Sequence, residues 1–169
     1  MVNSTRWGEL TDAVRFHAGL AHAADIPCEF RLLNGHPPVT IGTGGDDGDT
    51  AYKHFLEVLD RSPTGKTPLC HHIREVTKEI AALAPSLRAH GHRAVVVIAT
   101  DGESSDGDLA TVMAPLQNLP VWVVVRLCTD EDKVVDYWNG IDSQLELDMD
   151  VLDDLMATSG STTQSLCTG

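Results

Sequence analysis

The chain is short of basic residues. It carries 12 Lys and Arg against 25 Asp and Glu, which gives a formal net charge of -13 at pH 7 over 169 residues. Nucleic acids and anionic membranes bind basic surfaces, so neither is an expected partner. An acidic surface favours solubility, cation binding or a basic protein partner instead.

Paired cysteines and long apolar runs are also missing. The N-terminus lacks the apolar run of a signal peptide, and no stretch is long enough to span a membrane. The cysteines are far apart and form no C-x-x-C pair, which argues against a disulfide framework or a zinc site: Cys28, Cys70, Cys128 and Cys167. We therefore expect a cytoplasmic protein. With 42% hydrophobic residues the chain can still build one core.

Apolar periodicity predicts helices alternating with strands, an order typical of α/β proteins. Helices are predicted at residues 5–24, 50–60, from 67 to about 89 with a kink or break at Pro85, near 109–116, and at 131–138 and 150–156. Strands are predicted at 28–33, 39–41, 94–99 and 121–127, and residues 42–49 are predicted to be a flexible acidic loop. The last two strands are continuous apolar runs, which favours burial on both faces and places Trp122 in the core.

The end of the strand at 94–99 is the most informative place in the sequence. Thr100, Asp101 and Gly102 follow the apolar run, and an acidic, serine-rich loop comes next. Ligands of open α/β sheets bind at the carboxyl ends of strands, and a carboxylate there suits Mg²⁺. The alternative interpretation, which the sequence favours equally, is that Asp101 and Gly102 form only a turn and that Asp106 caps the next helix.

Three segments resemble the von Willebrand factor A-type (vWA) domain in its intracellular form. They are TGKTPL at 64–69, VVIATDG at 96–102 and LPVWVVVRL at 119–127. The resemblance implies a three-layer, Rossmann-like α/β fold with a doubly wound, mostly parallel sheet and helices on both faces. It would occupy residues 1–156 as a single domain, and residues 157–169 would be a flexible tail.

The same resemblance implies a metal-ion-dependent adhesion site. In that family a D-x-S-x-S loop supplies most ligands, and a threonine and an aspartate from later loops complete them; here these are Thr67 and Asp101. An open position on Mg²⁺ would accept a carboxylate from a protein partner. Because this chain has no D-x-S-x-S motif, we expect at most weak Mg²⁺ binding.

The first, central strand of the family also has no counterpart before residue 5, so we expect an N-terminally incomplete domain. The strands at 28–33 and 94–99 would then either pair directly or flank a gap. A gap leaves an exposed strand edge, through which two copies of the chain could form a dimer.

The function expected from these observations is a non-enzymatic protein–protein interaction module with a partial adhesion site. The alternative is a Mg²⁺-dependent α/β hydrolase or phosphotransfer enzyme that uses Asp101. Ser104 and Ser105 have no matched histidine motif, and adjacent helical residues such as Cys70, His71 and His72 cannot all face one ion. A third interpretation is that the chain is part of a larger protein and has no activity of its own.

Overall fold

A computed structural model describes residues 6–62 and 64–152 of the chain. Within these residues the helices are α1 (Arg6–Ala24), α2 (Gly45–Leu59), α3 (Leu69–Ala89), α4 (Leu109–Met113, followed by a 3-10 turn at Ala114–Asn118) and α5 (Asp132–Gln144). The strands are β1 (Cys28–Phe30), β2 (Val39–Ile41), β3 (Ala94–Thr100), β4 (Val121–Leu127) and β5 (Met149–Leu152). The described helices include none that is long and apolar enough to cross a membrane.

A three-stranded parallel sheet organises the second half of the molecule. Its order is β3-β4-β5, with Ala94 opposite Val121 and Val123 opposite Met149. Parallel strands need crossover connections, and α4 and α5 supply them. The predicted mixed α/β architecture with parallel strands is therefore confirmed.

One face of this sheet is covered by helices. Val123, Val125 and Leu127 are fully buried there, in one cluster with Met113 of α4 and Trp138 of α5. The same cluster takes in the apolar residues of the first half of α3. Burial of these aliphatic and aromatic side chains is the main stabilising contribution in this half of the molecule.

The opposite face of the sheet is open. Val95 is 58% exposed, Val97 51%, Trp122 42% and Leu152 48%. Alternation along each strand and the pairing of Val95 with Trp122 place these four side chains on one surface, which we call the open face. The predicted burial of both strands on two faces was wrong, as was the core position of Trp122. Within the described residues no helix covers these side chains. The helices therefore lie on one face of this sheet, not on both faces as expected.

The first half of the molecule forms its own small sheet and core. β1 pairs antiparallel with β2, with Cys28 opposite Ile41, and this sheet is separate from β3-β4-β5. A buried cluster joins this hairpin to α1 and α2: Ala18, Ala21, Ile41, Phe55 and Leu59. The short partner strand at 39–41 is confirmed. The strands at 28–33 and 94–99 do not pair directly, because they lie in different sheets.

Polar contacts connect the two halves. The Arg31 guanidinium is only 11% exposed and forms ion pairs with Glu29 on β1 and with Glu75 and Glu79 on α3. The Asn34 side chain also donates to the Lys66 carbonyl oxygen, at 2.7 Å. These contacts hold the segment after β1 against the first half of α3 and against the loop before it.

Two local predictions were wrong, one because of charge at a helix start and the other because of strand pairing. Residues 42–49 were predicted to be a loop, but α2 begins at Gly45, with Asp46 and Asp47 in its first turn, where negative charge favours a helix. Residues 150–156 were predicted to be a helix, but 149–152 form β5 beside β4, and Met149 is buried there. Residues 153–156 and the predicted tail lie outside the described residues. α3 is unbroken at Pro85.

Candidate functional site

Two loops meet at the carboxyl edge of the sheet. The backbone N–H of Ser105, in the loop after β3, donates to the Thr67 carbonyl oxygen at 2.8 Å. Leu69 N–H, at the start of α3, donates to the same oxygen at 2.8 Å. The TGKTPL segment therefore lies beside the loop that follows the VVIATDG segment, a meeting that the vWA resemblance implied.

Asp106 is the best-connected carboxylate of this edge. Its Oδ1 accepts from Cys70 N–H at 2.9 Å and its Oδ2 from His71 N–H at 2.9 Å. Ser104 Oγ donates to Oδ1 at 2.8 Å. The residue that precedes α3, Pro68, provides no side-chain cap, so Asp106 supplies the missing acceptors from a distant loop. Asp106 was predicted to cap the following helix, whereas it caps α3.

The hydrogen bonds to Asp106 stabilise its charged form. Partial burial acts to raise the Asp106 pKa, but the bonds from Ser104 and from the His71 and Cys70 backbones outweigh it. The pKa of Asp106 falls from 3.8 to about 2. Asp106 is thus committed to a structural role and is a poor proton donor or acceptor near neutral pH.

We predict that Asp106 contributes to stability in an acid-sensitive way. Because its folded-state pKa lies below its unfolded value of 3.8, the contribution is complete above about pH 4 and is lost as the pH falls towards about 2. Asp106→Asn should lower the free energy of unfolding at pH 7 by about 1 kcal/mol. Urea unfolding at pH 7 and at pH 3 measures both effects.

Asp101→Asn is the matched control for this prediction. Asp101 is exposed and forms no hydrogen bond or ion pair with another described residue, so its substitution should cost less than that of Asp106. Equal losses at pH 7 in the two variants would contradict the capping role of Asp106.

Asp101 lies in an acidic neighbourhood with two paired cations. Lys133 pairs with Glu103 at 3.3 Å. Arg6 of α1 donates to Glu131 at 2.7 Å, between Nη2 and Oε1. The Arg6 pKa is raised, first by its bond to Glu131 and further by the charges of Asp101 and Asp130. The carboxylates that follow β3 and β4 therefore share one electrostatic environment, in which Asp101 and Asp130 have no ion-pair partner among the described residues.

The two predicted metal ligands do not make a complete site. Thr67 is half-buried and Asp101 is exposed, and the described residues contain no group of three or more His, Cys, Asp or Glu side chains that could hold an ion. Mg²⁺ requires about six oxygen ligands in octahedral geometry, so two protein oxygens would leave it mostly hydrated. The donor set present fits weak binding at most.

The nearest nucleophilic groups belong to the capping cluster. Cys70 Sγ lies 3.3 Å from Ser104 Oγ, and burial raises the Cys70 pKa, which disfavours a reactive thiolate. Burial also raises the pKa of Tyr137, whose hydroxyl accepts from Ser104 N–H. His71 is exposed, and His72 Nε2 lies 3.0 Å from the Leu33 carbonyl oxygen instead of a nucleophile.

Trp138 completes the support of this loop. Its indole Nε1–H donates to the Gly102 carbonyl oxygen at 3.1 Å, while its side chain is fully buried. The sequence predicted neither this contact nor the cap by Asp106, because the partners are distant in the chain. Trp138 and Gly102 are 36 residues apart, and Asp106 is 35 and 36 residues from the two backbone groups it caps.

Comparison with known proteins identifies no relative. No protein-family model matches the chain. No curated protein and no solved structure is significantly similar to it either, so its function has to be inferred from its own geometry.

Proposed function

We propose that this chain is a non-enzymatic protein–protein interaction module, similar in kind to a vWA domain. The observation that carries the proposal is the open face, where Val95, Val97, Trp122 and Leu152 are each about half exposed on one surface. The register places the charged side chains of Arg126 and Asp150 on the same face. Exposed apolar side chains bordered by polar groups typically mark interaction sites on a folded domain. Tryptophan is also among the residues most enriched where binding energy concentrates.

An enzymatic function is the alternative, and the carboxyl edge supports it less well. Ser104 and Asp106 are engaged in capping α3, and the Cys70 pKa is raised. Among the described residues no histidine hydrogen-bonds to Ser104 or Cys70, so neither has a general base positioned beside it. Asp101 remains as an exposed carboxylate with no base or nucleophile bonded to it among the described residues. Turnover of generic phosphate or ester substrates that Asp101→Ala abolishes would favour the enzyme.

Metal-assisted binding through Thr67 and Asp101 is part of the vWA comparison. With only these two oxygens, we expect titration calorimetry with Mg²⁺ or Mn²⁺ to show no saturation below about 1 mM. Saturable binding that is lost in Asp101→Ala would contradict this expectation and restore the adhesion site as the binding surface. A carboxylate of the partner protein would then complete the coordination.

The role of the open face is tested by charge substitution. The double variant Val95→Lys/Val97→Lys puts two cations on the open face without emptying the core, because both side chains are more than half exposed. Leu83→Lys on α3 is the matched control, since Leu83 is 57% exposed on a helix. Circular dichroism and urea unfolding establish that both variants fold.

We expect a protein captured by the wild-type chain to bind the Leu83→Lys control equally well. The double variant should bind it at least about tenfold more weakly, measured with the purified partner. Equal binding by the wild type and the double variant would show that the interaction surface lies elsewhere.

A further inference from the structure

The outer edge of β3 has unpaired backbone groups. Ala94 N–H donates to the Pro120 carbonyl oxygen and Thr100 carbonyl oxygen accepts from Cys128 N–H, so these residues of β3 point towards β4. In a strand the backbone groups alternate in direction, which turns those of Val95, Val97 and Ala99 to the other side. No described residue hydrogen-bonds to them, since β3 is the edge of its sheet.

We propose that β3 binds its partner by strand addition: an extended segment of another protein pairs with residues 95–99 and becomes the next strand of the sheet. This rests on the proposed interaction function and specifies how it works. Three residues with six free backbone groups match an extended polypeptide, because a strand presents its own donors and acceptors at the same repeat. A helix or a small molecule does not present backbone donors and acceptors at this spacing, so it cannot hydrogen-bond to all of these groups.

The side chains around the edge define the composition of this segment. An added strand places alternate side chains beside Val95 and Val97, on the open face that also contains Trp122. Apolar, β-branched residues at every second position therefore fit, since cross-strand neighbours of this kind stabilise a sheet. The expected partner segment alternates apolar and polar residues over at least five positions.

Charge selects the partner further. Asp101 follows β3 and Asp130 follows the neighbouring strand β4, and neither has an ion-pair partner among the described residues. The exposed Arg126 lies opposite Ala99, so the attraction for a basic segment comes from the end of the edge at Asp101. The chain as a whole has a formal net charge of -13. A segment with basic residues at this end of the edge is attracted, whereas a second copy of the chain meets overall repulsion. We therefore assign the edge to a basic segment of a different protein.

The probe is a nine-residue peptide of alternating threonine and valine with two lysines at one end. A peptide with the lysines at the other end covers the opposite strand direction, and versions with two glutamates in their place are the charge controls. With saturating lysine peptide, we expect amide hydrogen exchange at Val95, Val97 and Ala99 to slow by at least about tenfold. The glutamate peptides should bind at least about fivefold more weakly than the lysine peptides. Asp101→Asn with Asp130→Asn should reduce that difference, and the remaining net negative charge of the chain accounts for what is left.

Val97→Pro tests the backbone directly. The Val97 N–H points away from β4, so proline removes a donor of the free edge without removing a bond to β4. Val97→Thr, which keeps the N–H and the branched side chain, is its matched control. Both variants are first checked for unchanged amide protection along β4. We expect Val97→Pro to lose peptide binding by at least about tenfold and Val97→Thr to retain most of it.

Three outcomes would overturn the proposal. The first is that neither lysine peptide slows exchange at the three amides, and the second is that Val97→Pro binds the peptide as the wild type does. The third is that these amides are already protected without peptide while light scattering shows a dimer, which would assign the edge to a second copy. A captured partner that binds Val97→Pro but not Val95→Lys/Val97→Lys would leave the interaction module standing and reject only strand addition.

Discussion

Replacing Trp138 with alanine is expected to lower the free energy of unfolding by about 3–5 kcal/mol. Trp138 is fully buried between α5 and the sheet, in the cluster that includes Val123 and Val125. The substitution leaves a large cavity, because close-packed neighbours relax only partly into the space. It also removes the donor to the Gly102 carbonyl oxygen in the loop after β3. Urea unfolding followed by circular dichroism measures the loss.

Two variants separate the contributions to this effect. Trp138→Phe retains much of the volume and loses the hydrogen bond to Gly102, so it should cost about 1–3 kcal/mol. Trp122→Ala removes the same type of side chain from the open face, where it is 42% exposed and its indole N–H donates to Asp150 at 3.0 Å, and it should cost about 1–2 kcal/mol. Similar losses for Trp122→Ala and Trp138→Ala would contradict the assignment of covered and open faces.

Replacing Gly42 with alanine is expected to cost about 3 kcal/mol or more. Gly42 follows β2 with a φ of +86°, a left-handed conformation that residues with a Cβ rarely adopt. A Cβ there would lie 2.1 Å from the Ile26 carbonyl oxygen and 2.8 Å from that of Ala21. Both are backbone atoms, at the end of α1 and just after it. A hydrogen bond from Ile26 N–H to the Ala21 carbonyl oxygen fixes this stretch of backbone, so neither oxygen can move aside.

Gly35→Ala is the control that separates conformational strain from steric overlap. Gly35 also has a positive φ, +76°, but a Cβ there meets nothing within 4 Å. Its substitution should therefore cost only the left-handed strain, about 1–2 kcal/mol. If Gly35→Ala and Gly42→Ala lower the unfolding midpoint equally, the packing of β2 against the end of α1 is not as the structure has it.

The sequence predicted best those elements whose conformation depends on residues nearby in the chain. The helix predicted at 5–24 is α1, and the apolar runs at 94–99 and 121–127 are β3 and β4. Helical spacing and runs of β-branched residues are local signals that survive without tertiary information. The helix predicted at 150–156 was wrong for residues 149–152, because their pairing with β4 makes them a strand and local periodicity does not record that pairing.

The candidate site was also predicted in part. The resemblance to the vWA domain implied that the loops of Thr67 and Asp101 meet at one edge, and the bond from Ser105 N–H to the Thr67 carbonyl oxygen shows that these loops are in contact. It did not predict that Asp106 would cap α3. Whether Thr67 and Asp101 bind metal stays a prediction. Capping by a residue from another loop depends on how two distant segments pack, and spacing along the chain contains no trace of it.

By itself, the sequence determined the α/β class, the positions of the main strands and the acidic character that disfavours nucleic acid as a partner. Only the tertiary structure decided which face of the sheet is covered, and within the described residues it left Val95, Val97 and Trp122 exposed beside a strand edge with no partner strand. The reason is physical. An apolar side chain contributes the same hydrophobicity to any strand, but its burial depends on which distant segments pack against it.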